Sequence, residues 1–211
     1  FYQPDFVNID ISFLKSLPQR EMICGYAEIL KHSLILDRKF FFWLSNNAKQ
    51  IIENKNNQLL KLAIIKSCKI KSEIVIKDEK EQNSRMVLNF GHTFAHGFEG
   101  AINFSKKLNH GEAVLLGMMI ACQLSYKNKI LPFKDLSLIE KHYLNLKLPR
   151  QMNNFFKKNQ INKIIFFMKK DKKNLDKKIN LVLIKKIGQV SKPIVMKANS
   201  VKKFLHSYYK K

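Results

Sequence analysis

Residues 111–126, GEAVLLGMMIACQLSY, decide the fold class. Between Ala113 and Leu124 every side chain except Gln123 is apolar or absent, and the apolar positions fall on all sides of a helical wheel. The stretch is too long for an ordinary strand and poor in β-branched residues, so it reads as a helix. A helix that is apolar all round has to be enclosed by other elements. The expected fold is therefore a shell of helices around this central one.

The flanking sequence supplies that shell. Downstream, Pro132 and Pro149 bracket a helical segment at Leu136–Leu146, and Gln160–Lys169 has helical spacing too. The β-branched runs Ile179–Ile184 and Val190–Val195, separated by Lys185–Gln189 with a glycine, predict a hairpin, and a last helix is expected over Ser200–Tyr209. Upstream, Arg85–Phe98, Asn57–Lys77, Asp37–Asn54 and Pro18–Leu36 read as helices. The last of these begins after Ser16, Pro18 and Gln19, a start of the capping-box type. Phe6–Ile11 alternates enough to predict a short strand. The fold class is mainly α with a small β-hairpin: a connection over residues 1–17 and one helical domain over 18–211.

Bulk properties bound the function. The chain has 211 residues, 45% of them hydrophobic, which suits a folded domain. No apolar run reaches the roughly 18 residues of a membrane span, so no membrane partner is expected. The net charge of +23 raises the possibility of a nucleic-acid partner. The basic residues are spread, however, and Phe40–Trp43, Phe90, Phe94 and Phe98 recur at core-like spacing, not as exposed stacking platforms. No nucleic-acid partner is expected. The densest run, Lys169–Lys178, holds six Lys and two Asp and suits either a solvated loop or a small anionic ligand. Cys24, Cys68 and Cys122 lie far apart in apolar helical contexts, the usual setting of buried reduced thiols in a cytoplasmic protein. The extended opening Phe1–Pro4 carries no start signal and is expected to continue from an earlier segment.

Four residues stand out within Arg85–Phe98. Arg85, Asn89, His92 and His96 follow one another at steps of four, three and four, which puts them on one face of a helix. Such a stripe can be a solvated face, although those are usually built of Glu and Lys. His110 opens a His-Gly-Glu turn before the central helix, either aimed inward by Gly111 or simply at the helix N-terminus. Glu28 lies mid-helix with Lys31 and His32 three and four residues on, the spacing of an intrahelical pair. Glu28, His92 and His110 together also make up one carboxylate and two imidazoles from separate elements, the ligand set of a catalytic zinc.

Three segments carry a resemblance: residues 24–36 (CGYAEILKHSLIL), 88–99 (LNFGHTFAHGFE) and 110–118 (HGEAVLLGM). In this order they resemble the signature blocks of the 3-dehydroquinate synthase family, and Met168–Asn174 is similar to that family's C-terminal Asp-Lys-Lys segment. The small residues Ala95 and Gly97 are interchanged relative to the common pattern, with the His92–His96 spacing kept. The resemblance implies that Glu28, His92 and His110 are ligands of zinc or cobalt. It implies that Lys31, Lys71, Arg85, Asn89 and His96, with Lys172 or Lys173, meet a small anionic sugar-acid phosphate. Lys31, Lys71, His96 and the acidic Glu81 are the implied catalytic group. Phe13, Leu14, Lys15 and Ser16 resemble the segment that touches the adenosine side of NAD.

The implied activity is a phosphate-eliminating lyase that forms 3-dehydroquinate through transient NAD-mediated oxidation, elimination, reduction and aldol closure. Related sugar-phosphate cyclases are the alternative. The family's glycine-rich NAD-binding α/β domain does not appear in these residues. Residues 1–17 would be the end of that domain and its connection, and catalysis would require the missing half. A homodimer is the family's usual state.

Overall fold

The structure is a computed structural model and describes residues 4–81, 84–170 and 178–209. Eight α-helices are described: α1 Gln19–Leu36, α2 Arg38–Ile52, α3 Asn57–Lys77, α4 His92–Ala101, α5 His110–Lys127, α6 Phe133–Asn145, α7 Ile161–Lys170 and α8 Ala198–Tyr208. The apolar stretch that decides the fold is α5, buried along Ala113–Cys122 and enclosed chiefly by α1, α4 and α6. Phe40, Phe41, Phe90, Phe94 and Phe98 are all within the core.

Four strands form two small antiparallel pairs. Lys178–Leu181 (β1) pairs with Ile194–Lys197 (β4), and Ile184–Lys186 (β2) pairs with Gln189–Val190 (β3), so the expected hairpin is present but interrupted. Gly188 at its tip has φ +83 and donates to the Leu34 carbonyl at 2.9 Å. Asp135 accepts from Arg38 at 2.7 and 3.0 Å and from the Ile187 amide at 2.9 Å, fastening the hairpin to α2 and α6.

Four expectations fail for identifiable reasons. Phe6–Ile11 is no strand: residues 4–10 have no regular structure and Ile11–Lys15 is a 3-10 turn capped by Asp10, which accepts from the Ser12 amide. Ser16 does not cap α1; its hydroxyl turns back to the Phe13 carbonyl, and Pro18 takes the cap position. The helix expected over Arg85–Phe98 is two elements, a 3-10 turn at Ser84–Asn89 and α4, separated at Gly91 with φ +82. Cys68 is exposed on α3, whereas Cys122 is buried; no cysteine is disulfide-bonded.

Candidate metal and substrate site

Two close backbone approaches bring the chemically distinctive residues together. A side chain at Gly111 would lie 2.4 Å from the Cα of Cys24, so the start of α5 rests directly against α1, one helical turn before Glu28. That crossing is clasped by Arg20, which donates to both Glu112 oxygens at 2.8 and 2.6 Å, and by Asn109, which donates to Glu21 at 2.7 Å. His110 thereby faces the Glu28 side of α1. At the second crossing, a side chain at Gly117 would lie 2.3 Å from the carbonyl oxygen of Gly91. Gly91 caps α4 in the left-handed region, and His92 is the first residue after it.

The result is a cluster of one carboxylate and three imidazoles. His92 Nε2 lies 3.7 Å from Glu28 Oε1, and the His92 ring stands 5.6 Å from that of His110 and 5.9 Å from that of His96. His92 Nδ1 is 3.3 Å from the Phe90 carbonyl, and His110 Nδ1 is 2.9 Å from Glu99. Both acceptors are oxygens that cannot donate, so each imidazole carries a proton on Nδ1, and in its neutral form it presents the Nε2 lone pair. Glu28 Oε2 accepts from Lys31 at 2.7 Å, while Glu28 Oε1 is buried with no hydrogen-bond partner.

Electrostatics favour the cation-binding form at Glu28 and His92 and the protonated form at His110. Burial raises the Glu28 carboxyl, but the charge and hydrogen bond of Lys31, helped by His92, outweigh it and hold the carboxyl below its ordinary value. Burial, followed by the charge of Lys31, depresses His92 to about 4, so it is neutral near pH 7. The Glu99 hydrogen bond raises His110. Burial lowers the Lys31 ammonium, and Glu28 offsets only part of that effect.

The donors suit a divalent cation: an orphaned buried carboxylate oxygen faces an imidazole lone pair, and a second imidazole is oriented by a carboxylate behind it. Among the described residues, no group of three or more His, Cys, Asp or Glu side chains is gathered closely enough to hold a metal ion in the present arrangement. Lys31 holds one of the two Glu28 oxygens.

The other expected residues surround this cluster unevenly. Lys71 is exposed on α3, and its charge is felt at Lys31 and His32. Asn89 donates to Glu81 at 2.7 Å, and Glu81 has φ +55. The Arg85 amide donates to Asp78 and its guanidinium to the Glu79 carbonyl, so this side chain is engaged with the 78–81 turn. The break at Gly91 means that Arg85, Asn89, His92 and His96 do not share one helix face. Phe13, Leu14, Lys15 and Ser16 lie on and just after the first 3-10 turn, where Leu14 and Glu28 line one apolar cavity of about 220 Å³. Lys172 and Lys173 lie outside the described residues.

The sequence reading missed the contacts of two residues. Glu99 lies seven residues after His92 on the same helical face, but no spacing within α4 signals its contact with His110 on α5. His32, 3% exposed, meets Ser67 through Nδ1 at 2.7 Å, and its Nε2 is buried without a partner.

Comparison with known proteins places these features in a family. The model described as 3-dehydroquinate synthase C-terminal matches residues 25–174. The chain is 55% identical over 188 residues to the 3-dehydroquinate synthase of Pelagibacter ubique, covering 89% of this chain and 51% of that protein. It is 40% identical over 192 residues to that of Aliivibrio fischeri, again covering 89% and 51%. The chain thus spans about half the length of these curated relatives. Among solved structures, 2-epi-5-epi-valiolone synthase from Streptomyces hygroscopicus, with NAD+ and Zn2+ bound, superimposes with a TM-score of 0.81 at 22% identity, over 96% of this chain and 55% of that one. A 2-deoxy-scyllo-inosose synthase complexed with carbaglucose-6-phosphate, NAD+ and Co2+ gives 0.75 at 20% identity, over 99% and 57%. At these identities the two structures speak for the fold alone.

Proposed function

The chain belongs to the 3-dehydroquinate synthase family, and from that premise we propose that it forms the metal- and substrate-holding half of a 3-dehydroquinate synthase. The whole enzyme would convert 3-deoxy-D-arabino-heptulosonate 7-phosphate to 3-dehydroquinate and phosphate. The 40–55% identity to proteins of that name favours this reaction over those of the more distant cyclases. The observation that carries the proposal is the meeting of Glu28, His92 and His110, with the buried Glu28 Oε1 left without a partner.

In this reading Glu28, His92 and His110 hold zinc or cobalt. A bound divalent cation supplies Lewis-acid polarisation of the reacting hydroxyl and carbonyl oxygens. The chain's own residues do the rest in this half. Glu99 keeps the His110 proton on Nδ1, and the Phe90 carbonyl does the same for His92, so both rings stay oriented. Lys31, Lys71 and Arg85, with Lys172 or Lys173, bind the carboxylate and phosphate by charge-assisted hydrogen bonds. Asn89 and His96 bind hydroxyls, with Glu81 fixing the Asn89 amide. Burial at Lys31 eases transfer of its proton, which suits a group that shuttles one near the leaving phosphate. Phe13–Ser16 would border the NAD carried by the part of the relatives that this chain does not span, and that part is the partner catalysis requires. A homodimer and a cytoplasmic setting belong to the same proposal.

Elemental analysis tests it. About one zinc per chain is expected, retained in His206→Ala and lost in Glu28→Ala, His92→Ala and His110→Ala. A folded wild type that takes up no metal would overturn the assignment.

A further inference from the structure

The ion pair between Lys31 and Glu28 brings together two groups that the proposed function assigns to different ligands. Lys31 is meant for the anionic substrate and Glu28 for the metal, yet Lys31 Nζ donates to Glu28 Oε2 at 2.7 Å. The two residues are three apart on α1, so they share a face and the contact costs little to form. The Lys31 side chain is only 4% exposed, which denies its ammonium bulk water as an alternative partner. A buried ammonium must be matched by an anion, and removing its partner is far more costly than exchanging it for another.

A divalent cation that binds Glu28 lies on the same carboxylate as this ammonium and repels it. Lys31 has a long flexible stem, but besides Glu28 the charge felt at Lys31 is the second positive one of Lys71, and neutral His32 and His92 offer no negative charge. The ammonium that a metal displaces therefore needs an anion from outside the protein. A ligand carrying a carboxylate or phosphate is of the right kind and is the class the site is read to bind.

Resting on the metal-site reading of Glu28, we propose that Lys31 is a built-in counter-ion that holds Glu28 until a metal arrives and is then passed to the anionic ligand, so that metal and anion bind cooperatively. Such coupling is reciprocal: the anion tightens the metal by the same factor as the metal tightens the anion.

The test is a titration of the full chain with zinc against a chromophoric chelator, with and without saturating sulfate as the dianion probe, the chelator reporting free zinc in each case. In the wild type sulfate is expected to tighten zinc binding by roughly tenfold to a hundredfold, the worth of one charge-assisted hydrogen bond. Lys31→Met is expected to bind zinc more tightly than wild type without sulfate, by a similar factor, and to ignore sulfate. Lys31→Arg keeps the charge and should keep the sulfate response. Wild-type affinity that sulfate does not change would mean that the metal uses only Oε1 while Lys31 stays on Oε2, and would overturn the proposal. That arm needs no variant, so it stands even if Lys31→Met fails to fold. Failure of the underlying reading looks different: no zinc uptake by the wild type, or unchanged uptake by Glu28→Ala.

Discussion

Gly117→Ala tests whether the α4–α5 crossing is what assembles the site. The added methyl carbon would sit 2.3 Å from the Gly91 carbonyl oxygen, 3.2 Å from its carbonyl carbon and 3.2 Å from Phe94 Cβ. Two of these neighbours are backbone, so no side-chain rotation relieves the clash. Gly91 cannot easily yield either, because its own φ is +82 and it is packed closely against Val114 and Met118 of the same helix α5. Overpacking of this kind costs about 3 kcal/mol, at the upper end of the usual range, and the helix-propensity gain of alanine returns about 1. The net loss of about 2 kcal/mol corresponds to a fall in Tm of roughly 4–8 °C for a chain of this size. Gly25→Ala on α1 is the internal comparison, because a side chain there would meet nothing within 4 Å. That change should stabilise by about 0.5–1 kcal/mol. Thermal unfolding by circular dichroism reads both. Since His92 follows Gly91 directly, Gly117→Ala should also weaken zinc binding. If Gly117→Ala melts at or above the wild-type temperature, the crossing is not the close-packed point described and the reasoning fails.

Three further perturbations reach other parts of the fold. His142, paired with the Tyr26 hydroxyl at 2.7 Å, is held by burial at about 4 against an ordinary 6.5. The unfolded chain therefore binds a proton that the folded chain refuses, so this contribution to stability is complete above pH 6.5 and is lost as the pH falls towards 4, about 3 kcal/mol in all. His142→Gln should flatten urea-measured stability between those values by up to about one proton, and an unchanged slope would refute the assignment. Asp135→Ala removes the shared acceptor of Arg38 and the Ile187 amide and should cost about 2–3 kcal/mol, with a Tm shift under 2 °C counting against it. Glu99→Gln should raise the zinc dissociation constant about 10- to 100-fold by loosening His110, and an unchanged constant would remove Glu99 from the site.

Helix order was legible from the sequence because the apolar spacing is regular and the breaks are chemically marked. α1, α2, α3 and α5 all lie within two residues of their expected limits, with Asp37 and Asn56 accepting from the Phe40 and Leu59 amides at the starts of α2 and α3. The candidate site was legible mainly by resemblance, because spacing alone left Glu28 as readily an intrahelical partner of Lys31, and that pair is indeed formed. Gly91 is where local reading failed. A glycine inside a periodic pattern is compatible with a continuous helix, and only the carbonyl contact with Gly117, 26 residues away in sequence, requires the left-handed turn that ends one element and starts the next. Glu99 was missed for a related reason, as its partner His110 belongs to a different helix.

The three candidate ligands come from α1, α4 and α5, and both crossings that align them are made by residues of this chain alone: Gly111 against Cys24, and Gly117 against Gly91. In the proposed reading, the face that would hold the metal is assembled by crossings within the helical core. Leu14, in the Phe13–Ser16 segment read as bordering NAD, lines an apolar cavity together with Glu28. Metal uptake and cofactor binding should accordingly be separable. The chain by itself should take zinc with the pattern of losses set out above, while NAD binding should appear only when the part of the curated relatives that this chain does not span is supplied.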